Sequence, residues 1–261
     1  MVQPRLIPCL LLSGRRLVKT VRFRDPSYVG DPVNTVRIFN EQEVDEIVFL
    51  DIDATRESRE PAVELIREIA SEAFMPFAYG GGVRSVDAAG AVLSNGAEKV
   101  VVNSALAGSP GLVGALSARF GAQAVVCAID VSAGGLLRRG GCMVRNGRSR
   151  LAADPVALAR ALESEGAGEL LLTSIDREGT FGGYDLDLVR SVSAAVGIPV
   201  VAHGGAGGVD DCGRAIAAGA SAAAAGSIFV FQGRARGVLV NYPPRAEFEA
   251  AIARHRAPAP A

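Results

Sequence analysis

No tryptophan occurs in these 261 residues, aromatic side chains make up only 5%, and lysine appears just twice, as Lys19 and Lys99. Basic charge rests on arginine instead, and acidic residues balance it to a net charge of −1. Such a balance argues against nucleic acid or an anionic membrane surface as partner, since both need an excess of cations. The four cysteines (Cys9, Cys127, Cys142 and Cys212) are scattered without paired spacing. A disulfide scaffold and a zinc site are therefore not expected, and Cys9 and Cys127, inside apolar runs, read as core residues. No window approaches the roughly 20 apolar residues that span a bilayer. The run Leu6–Leu12 is short for a signal sequence, contains Pro8 and lacks a small-residue cleavage site. A cytoplasmic protein is expected. His203 and His255 stand apart with no carboxylate cluster beside them, so no metal is expected, and nothing implies an organic cofactor.

What is present is apolar and repeated. Residues 46–53 read Glu-Ile-Val-Phe-Leu-Asp-Ile-Asp, and residues 169–176 read Glu-Leu-Leu-Leu-Thr-Ser-Ile-Asp. The same offset of 123 carries Gly81, Asp87, Gly96 and Ser104 onto Gly204, Asp210, Gly219 and Ser227. A repeat that holds phase through strand, Gly-rich turn, helix and strand points to two matched halves of one object. Strands are expected at 5–12, 46–52, 76–79, 99–103, 123–130, 168–174, 198–202 and 221–225, each nearly continuous in apolarity, as strands buried on both faces are. Helices are expected near 32–43, 60–72, 86–95, 109–119, 154–165, 185–195, 210–218 and 244–255. Asp31-Pro32 and Asp154-Pro155 supply N-caps with proline in the first turn, and Gly96, Gly166 and Gly219 close helices. Eight such units make an α/β fold, a single (β/α)₈ TIM barrel built from two half-barrel repeats over residues 1–256, with a disordered Pro-Ala tail at 257–261. An open doubly wound sheet would not predict two halves of four units each.

Two connections are long: residues 13–31 after strand 1, and residues 132–150 after strand 5. The second reads as a hairpin, with Gly140-Gly141 and Asn146-Gly147 as turn signals. Both fall on the C-terminal face, where such barrels keep their active sites.

The Gly-rich turns 80–82 and 204–207 suit backbone cradles for anions, completed by Asn103-Ser104 and Gly226-Ser227 on the neighbouring strands. Two cradles facing each other across one mouth imply a long ligand with a phosphate at each end. Between them, strand 5 carries Asp130 to the rim. Internal symmetry predicts a partner carboxylate at position 11, and the residue there is Leu11. A leucine can neither donate nor abstract a proton, and losing one positioned acid or base typically costs about 10²–10⁴ in rate. Asp176 and Glu178, in the run Thr173-Ser174-Ile175-Asp176-Arg177-Glu178-Gly179-Thr180, are read as ligand contacts.

The segments Leu6–Thr20, Leu50–Asp53, Gly80–Val83, Lys99–Ala105, Ala128–Asp130, Leu172–Asp185 and Ser227–Phe229 together resemble the cyclase subunit of imidazole glycerol phosphate synthase. The resemblance covers nearly the whole chain. It implies a (β/α)₈ barrel paired with a glutaminase subunit at its N-terminal face. Ammonia would pass through the barrel to a substrate bearing two phosphates. It further implies that Asp130 is one of two catalytic aspartates, with the other falling on Leu11, and that Lys19 is a mobile-loop lysine reaching the ligand. Asp51, Gly82, Asn103, Thr173, Gly179, Gly205 and Ser227 become ligand-contacting positions. Arg5, Glu46, Lys99 and Glu169, each at a strand start, match the family's charged ammonia gate, and Glu98 beside them could join the partner interface. A salt-bridged plug closing the barrel bottom is the plainer account of the same four charges. Strand parity places Arg5 with Leu11, Lys99 with Asn103 and Glu169 with Thr173 on inward faces. Glu178 stands where the family usually has Asp, and His203 where a small polar residue is usual.

Three readings follow. One is a working lyase–cyclase of histidine biosynthesis. A second, favoured here, is a paralogue similar to the cyclase-like proteins that accompany an N-sugar amidotransferase in surface-polysaccharide pathways, to which the Pro8–Leu12 and Val18–Phe23 runs point. Such a paralogue would keep ammonia delivery while its own cyclase chemistry is lost or changed. A phosphosugar isomerase barrel is a third, and it too would want two carboxylates.

Overall fold

The computed structural model describes residues 3–135, 138–233 and 237–256; the tail expected at 257–261 lies outside them. Eight parallel strands form the barrel: β1 Arg5–Ser13, β2 Ile47–Asp51, β3 Phe77–Gly80, β4 Lys99–Val102, β5 Val125–Gly135, β6 Glu169–Ser174, β7 Val200–His203 and β8 Ala222–Ala225. Each pairs with the next, β8 pairs with β1, and the β5–β6 pairing joins the two halves, so the sheet closes on itself. Between strands run α1 Pro32–Glu41, α2 Val63–Glu72, α3 Val86–Ser94, α4 Leu112–Phe120, α5 Pro155–Glu165, α6 Leu186–Ser193 and α7 Val209–Ala217, and α8 Arg245–His255 follows β8.

Local chemistry sets the helix ends. The Asp31 carboxylate accepts from the Asn34 N–H and that of Asp154 from the Val156 N–H, each with proline in the first turn. Gly96, Gly166 and Gly219 end their helices at φ of 109°, 112° and 110°, a region that glycine enters without a Cβ penalty. Gly96 and Gly219 are partners in the internal repeat, and they repeat each other's backbone to within a degree.

Apolar residues fall into two shells, as strands covered on both faces require. Ile7, Cys9, Val48, Ala78, Val101 and Leu171 point into the barrel with their counterparts from the remaining strands. Leu6, Leu10, Leu12, Phe49 and Phe77 point outward against the helices.

Both long connections are more ordered than the sequence suggests. Residues 13–31 form an antiparallel hairpin, Arg16–Val21 with Arg24–Gly30, which continues from β1 over the mouth. Its turn at Arg22-Phe23 has φ of 53° and 60°, the pattern of a two-residue hairpin that normally recruits Asn or Gly. The second hairpin extends β5 into strands Arg138–Val144 and Ser149–Ala152. Asn146-Gly147 is its turn, as expected. Gly140-Gly141 is not a turn but lies within Arg138–Val144, where a Cβ on Gly140 would meet the Ala133 carbonyl at 2.4 Å and one on Gly141 the Ala152 carbonyl at 2.4 Å. Close backbone approach, rather than chain reversal, explains that pair.

Candidate functional site at the barrel mouth

Strand alternation sorts each inward face into three levels. At the bottom, Arg5 pairs with Glu46 and Glu169, and Lys99 reaches the same two carboxylates at 2.8 and 2.9 Å. The result is a ring of alternating charge in which every member has two opposite partners. Its carboxylates are nearly fully covered, with Glu46 at 3% and Glu169 at 6% exposure. Glu98 beside it is exposed at the same face. Above the ring comes the apolar inner shell, narrow because Ala78, Ala128, Ala222 and Ala224 contribute only methyl groups.

The top level opens into a cavity of about 740 Å³. Asp130 sits on its floor at the end of regular β5, accepting from the Asn103 side-chain amide at 3.2 Å. Burial pushes its carboxyl up to about 7, with the Thr173 hydroxyl pulling it back and the Glu178 charge adding to the rise. Next to it, Thr173 Oγ1 and His203 Nδ1 are 3.1 Å apart. Burial depresses the His203 imidazole to about 4, so it is neutral near pH 7 and can exchange a hydrogen bond but not carry charge. Burial also pushes the thiol of Cys9, at the cavity wall, up to about 12, which removes it as a nucleophile at neutral pH.

Leu11 lines the same cavity, 7% exposed. The other buried carboxylate reaching the mouth is Glu178, from the loop after β6. It forms a buried ion pair with Lys19, whose ammonium also donates to the Thr20 carbonyl at 2.8 Å. Glu178 further accepts from the Thr20 hydroxyl at 3.1 Å and the Phe23 N–H at 3.1 Å, and its own carbonyl accepts from the Arg22 N–H at 2.9 Å. One glutamate thus staples the first hairpin to the β6 loop.

Of the residues singled out from sequence, Lys19, Asp51, Gly82, Asn103, Ser104, Asp130, Thr173 and Glu178 line this cavity together. Asp51 does so while its carboxylate accepts from the Asp53 and Ala54 amides and pairs with Arg59, which ties it to loop structure. Five others do not line it. Asp176 turns to the second hairpin and accepts from the Ala133 N–H at 2.6 Å. Gly179 packs against the Thr20 carbonyl, and Gly205 against that of Gly183. Gly226 and Ser227 are buried beneath the hairpin side, with the Lys19 stem lying over Gly226. The long ligand grasped by both cradles therefore differs from the cavity found, which reaches only the first.

Sequence reasoning passed over the arginines. Arg56, Arg59, Arg84, Arg145 and Arg148 line the cavity, so that with Lys19 six cations face three carboxylates. Arg145 and Arg148 flank the Asn146-Gly147 turn, the one local signal that could have drawn attention to them. Among the described residues no group of three or more His, Cys, Asp or Glu side chains is placed to hold a metal, and no helix is long and apolar enough to cross a membrane. His255 lies far from the mouth in chain terms, on α8, with Nε2 2.9 Å from Asp210.

Comparison with known proteins agrees with this architecture. The family described as "Histidine biosynthesis protein" matches residues 5–235. A Pseudomonas aeruginosa protein provisionally named imidazole glycerol phosphate synthase subunit hisF2 is 48% identical over 253 residues, covering 93% of this chain and 97% of its own length. A Vibrio vulnificus protein, provisionally named subunit hisF3, is 43% identical over 253 residues, covering 97% of each chain. The Clavibacter michiganensis protein named imidazole glycerol phosphate synthase subunit HisF is 44% identical over 225 residues, covering 86% of each.

Proposed function

The chain belongs to the histidine biosynthesis protein family as a HisF-like cyclase subunit, and on that premise we propose that it receives ammonia from a glutaminase and passes it on, without performing the usual cyclisation itself. The glutaminase would dock on the N-terminal face, against the ring of Arg5, Glu46, Lys99 and Glu169. Ammonia would cross the inner shell as neutral NH₃, because an apolar layer penalises a desolvated ammonium far more heavily. At the mouth, Asp130 is a carboxyl that titrates near neutrality, suited to handling a single proton. The position for a second acid or base is filled by Leu11. A third enzyme, an N-sugar amidotransferase converting a sugar N-acetyl group to an acetamidino group for surface polysaccharide, is the proposed consumer.

The single observation carrying this reading is the contrast between a complete charge ring below and Leu11 facing the Asp130 mouth above. Reconstitution with the glutaminase tests it. Ammonia-dependent turnover of the histidine-pathway substrate should be lower than that of an Asp-containing relative by about 10²-fold or more. Leu11→Asp should recover part of it. Turnover at ordinary rates by the unmodified chain would end the proposal in favour of an active cyclase of L-histidine biosynthesis. That second reading draws on one observation, the Glu178 carboxylate buried at the mouth within electrostatic reach of Asp130.

A further inference from the structure

The two half-barrels carry the same cradle sequence at the same offset, but only one of them is open. Gly81, Gly82, Asn103 and Ser104 are partly exposed and line the cavity. Their partners Gly204, Gly205, Gly226 and Ser227 are buried and do not line it. Backbone geometry is not the cause, since all four glycines of the two turns keep positive φ: 121° and 74° at Gly81 and Gly82, 91° and 113° at Gly204 and Gly205.

What differs is the cover. The Lys19 stem lies so close over Gly226 that an added Cβ would meet Cε at 3.0 Å. Its ammonium is locked by Glu178, and both side chains are buried, at 7% and 2% exposure. The same glutamate holds the Arg22-Phe23 turn, whose positive φ at two non-glycine residues needs an external clamp. The Asp211 carboxylate, moreover, takes the Gly207 N–H at 2.9 Å, using a donor that an anion at the second turn would need. On the open side the balance is opposite. Arg145 and Arg148 face the cavity beside Ser104 and have no carboxylate partner among the described residues, and the Arg145 N–H donates to the Ser104 hydroxyl.

We propose that the mouth takes a ligand bearing one phosphate, seated between Gly81-Gly82, Ser104 and the Arg145–Arg148 turn, and that the Lys19–Glu178 latch keeps the matching second cradle shut. The ligand class is a phosphomonoester rather than a bisphosphate. The proposal rests on the family reading of these turns as phosphate cradles, and it narrows the substrate class that the reading implied.

Calorimetric titration of the full chain tests it, with inorganic phosphate, ribose 5-phosphate and ribulose 1,5-bisphosphate as probes. The expected result is one phosphate site per chain and affinities for the two sugar phosphates within about threefold, because a second engaged phosphate would tighten binding by about tenfold or more. Arg145→Ala with Arg148→Ala should weaken the monophosphate by about tenfold. Releasing the latch, by Glu178→Gln or by the charge-neutral pair Lys19→Met with Glu178→Gln should the single variant fold poorly, should favour the bisphosphate over the monophosphate by about tenfold. Two phosphate sites in the unmodified chain, a tenfold bisphosphate preference before any substitution, no gain on unlatching, or no phosphate binding at all would each overturn it. Ammonia transfer from the glutaminase is a separate readout, so the conduit reading can fail while the one-phosphate assignment stands, and the reverse.

Discussion

The two ends of this barrel are both polar and both bury charge, yet they solve the problem differently. At the strand starts, two cations and two carboxylates alternate so that each charge has two opposite neighbours. At the strand ends, Asp130 and His203 escape the cost of burial by shifting toward neutrality, and only Lys19 and Glu178 are paired. A closed ring suits an element that must hold a fixed arrangement until a partner disturbs it. Groups poised between charge states suit chemistry or ligand exchange. The difference teaches which end is built for holding and which for reacting.

Breaking the ring should have the largest effect. Lys99→Met leaves Glu46 and Glu169 sharing Arg5 alone, and chemical denaturation should register a loss of about 3 kcal/mol, since an orphaned buried charge is costly. Adding Glu46→Gln should restore part of it. A loss no greater than that from breaking the exposed Arg190–Asp187 pair, about 0.5 kcal/mol, would mean the ring is screened by solvent and the contrast between the ends is false.

Next in size is Asp130→Asn. The folded carboxyl has its pKa raised to about 7, so its protonated form is favourable below the unfolded value and that contribution is lost as pH rises through about 7. The neutral amide should therefore leave stability nearly unchanged near pH 4 and raise it by about 1–3 kcal/mol near pH 8. Unfolding curves at the two pH values check the sign.

His203 works the other way. Its folded pKa lies near 4, below its ordinary 6.5, so stability is full above about 6.5 and falls as pH drops toward 4. His203→Gln should remove about 1–2 kcal/mol of acid sensitivity around pH 5, measurable as a flatter stability-against-pH curve. A wild-type curve without opposing contributions from these two residues would show the mouth to be wetter than its burial implies.

The smallest test sharpens the equivalence of the half-barrels. Asp31 and Asp154 cap matched helices, α1 and α5, so Asp31→Ala and Asp154→Ala should each cost about 1 kcal/mol and resemble each other in thermal unfolding.

Much of this was legible from residue order. Eight buried strands, both proline-led caps and the inward placement of Arg5, Lys99 and Glu169 all rest on periods of two or 3.6 residues and on local capping chemistry. Such signals need no knowledge of distant neighbours. The hairpin at 16–30 was not legible, because its Arg22-Phe23 turn lacks the glycine or asparagine that usually marks one. Gly140-Gly141 misled for the converse reason, as glycine serves close backbone contact as readily as chain reversal.

Sequence alone determined the closed eightfold alternation, its division into two halves and the vacancy at Leu11, because each is written in spacing or identity. Only the tertiary structure decided that the two cradles are unequal. That inequality depends on Lys19 meeting Glu178, 159 residues along the chain, and on where Arg145 and Arg148 come to rest. Side chains so far apart in sequence are brought together by barrel closure, and no local pattern records which of two identical turns will be covered.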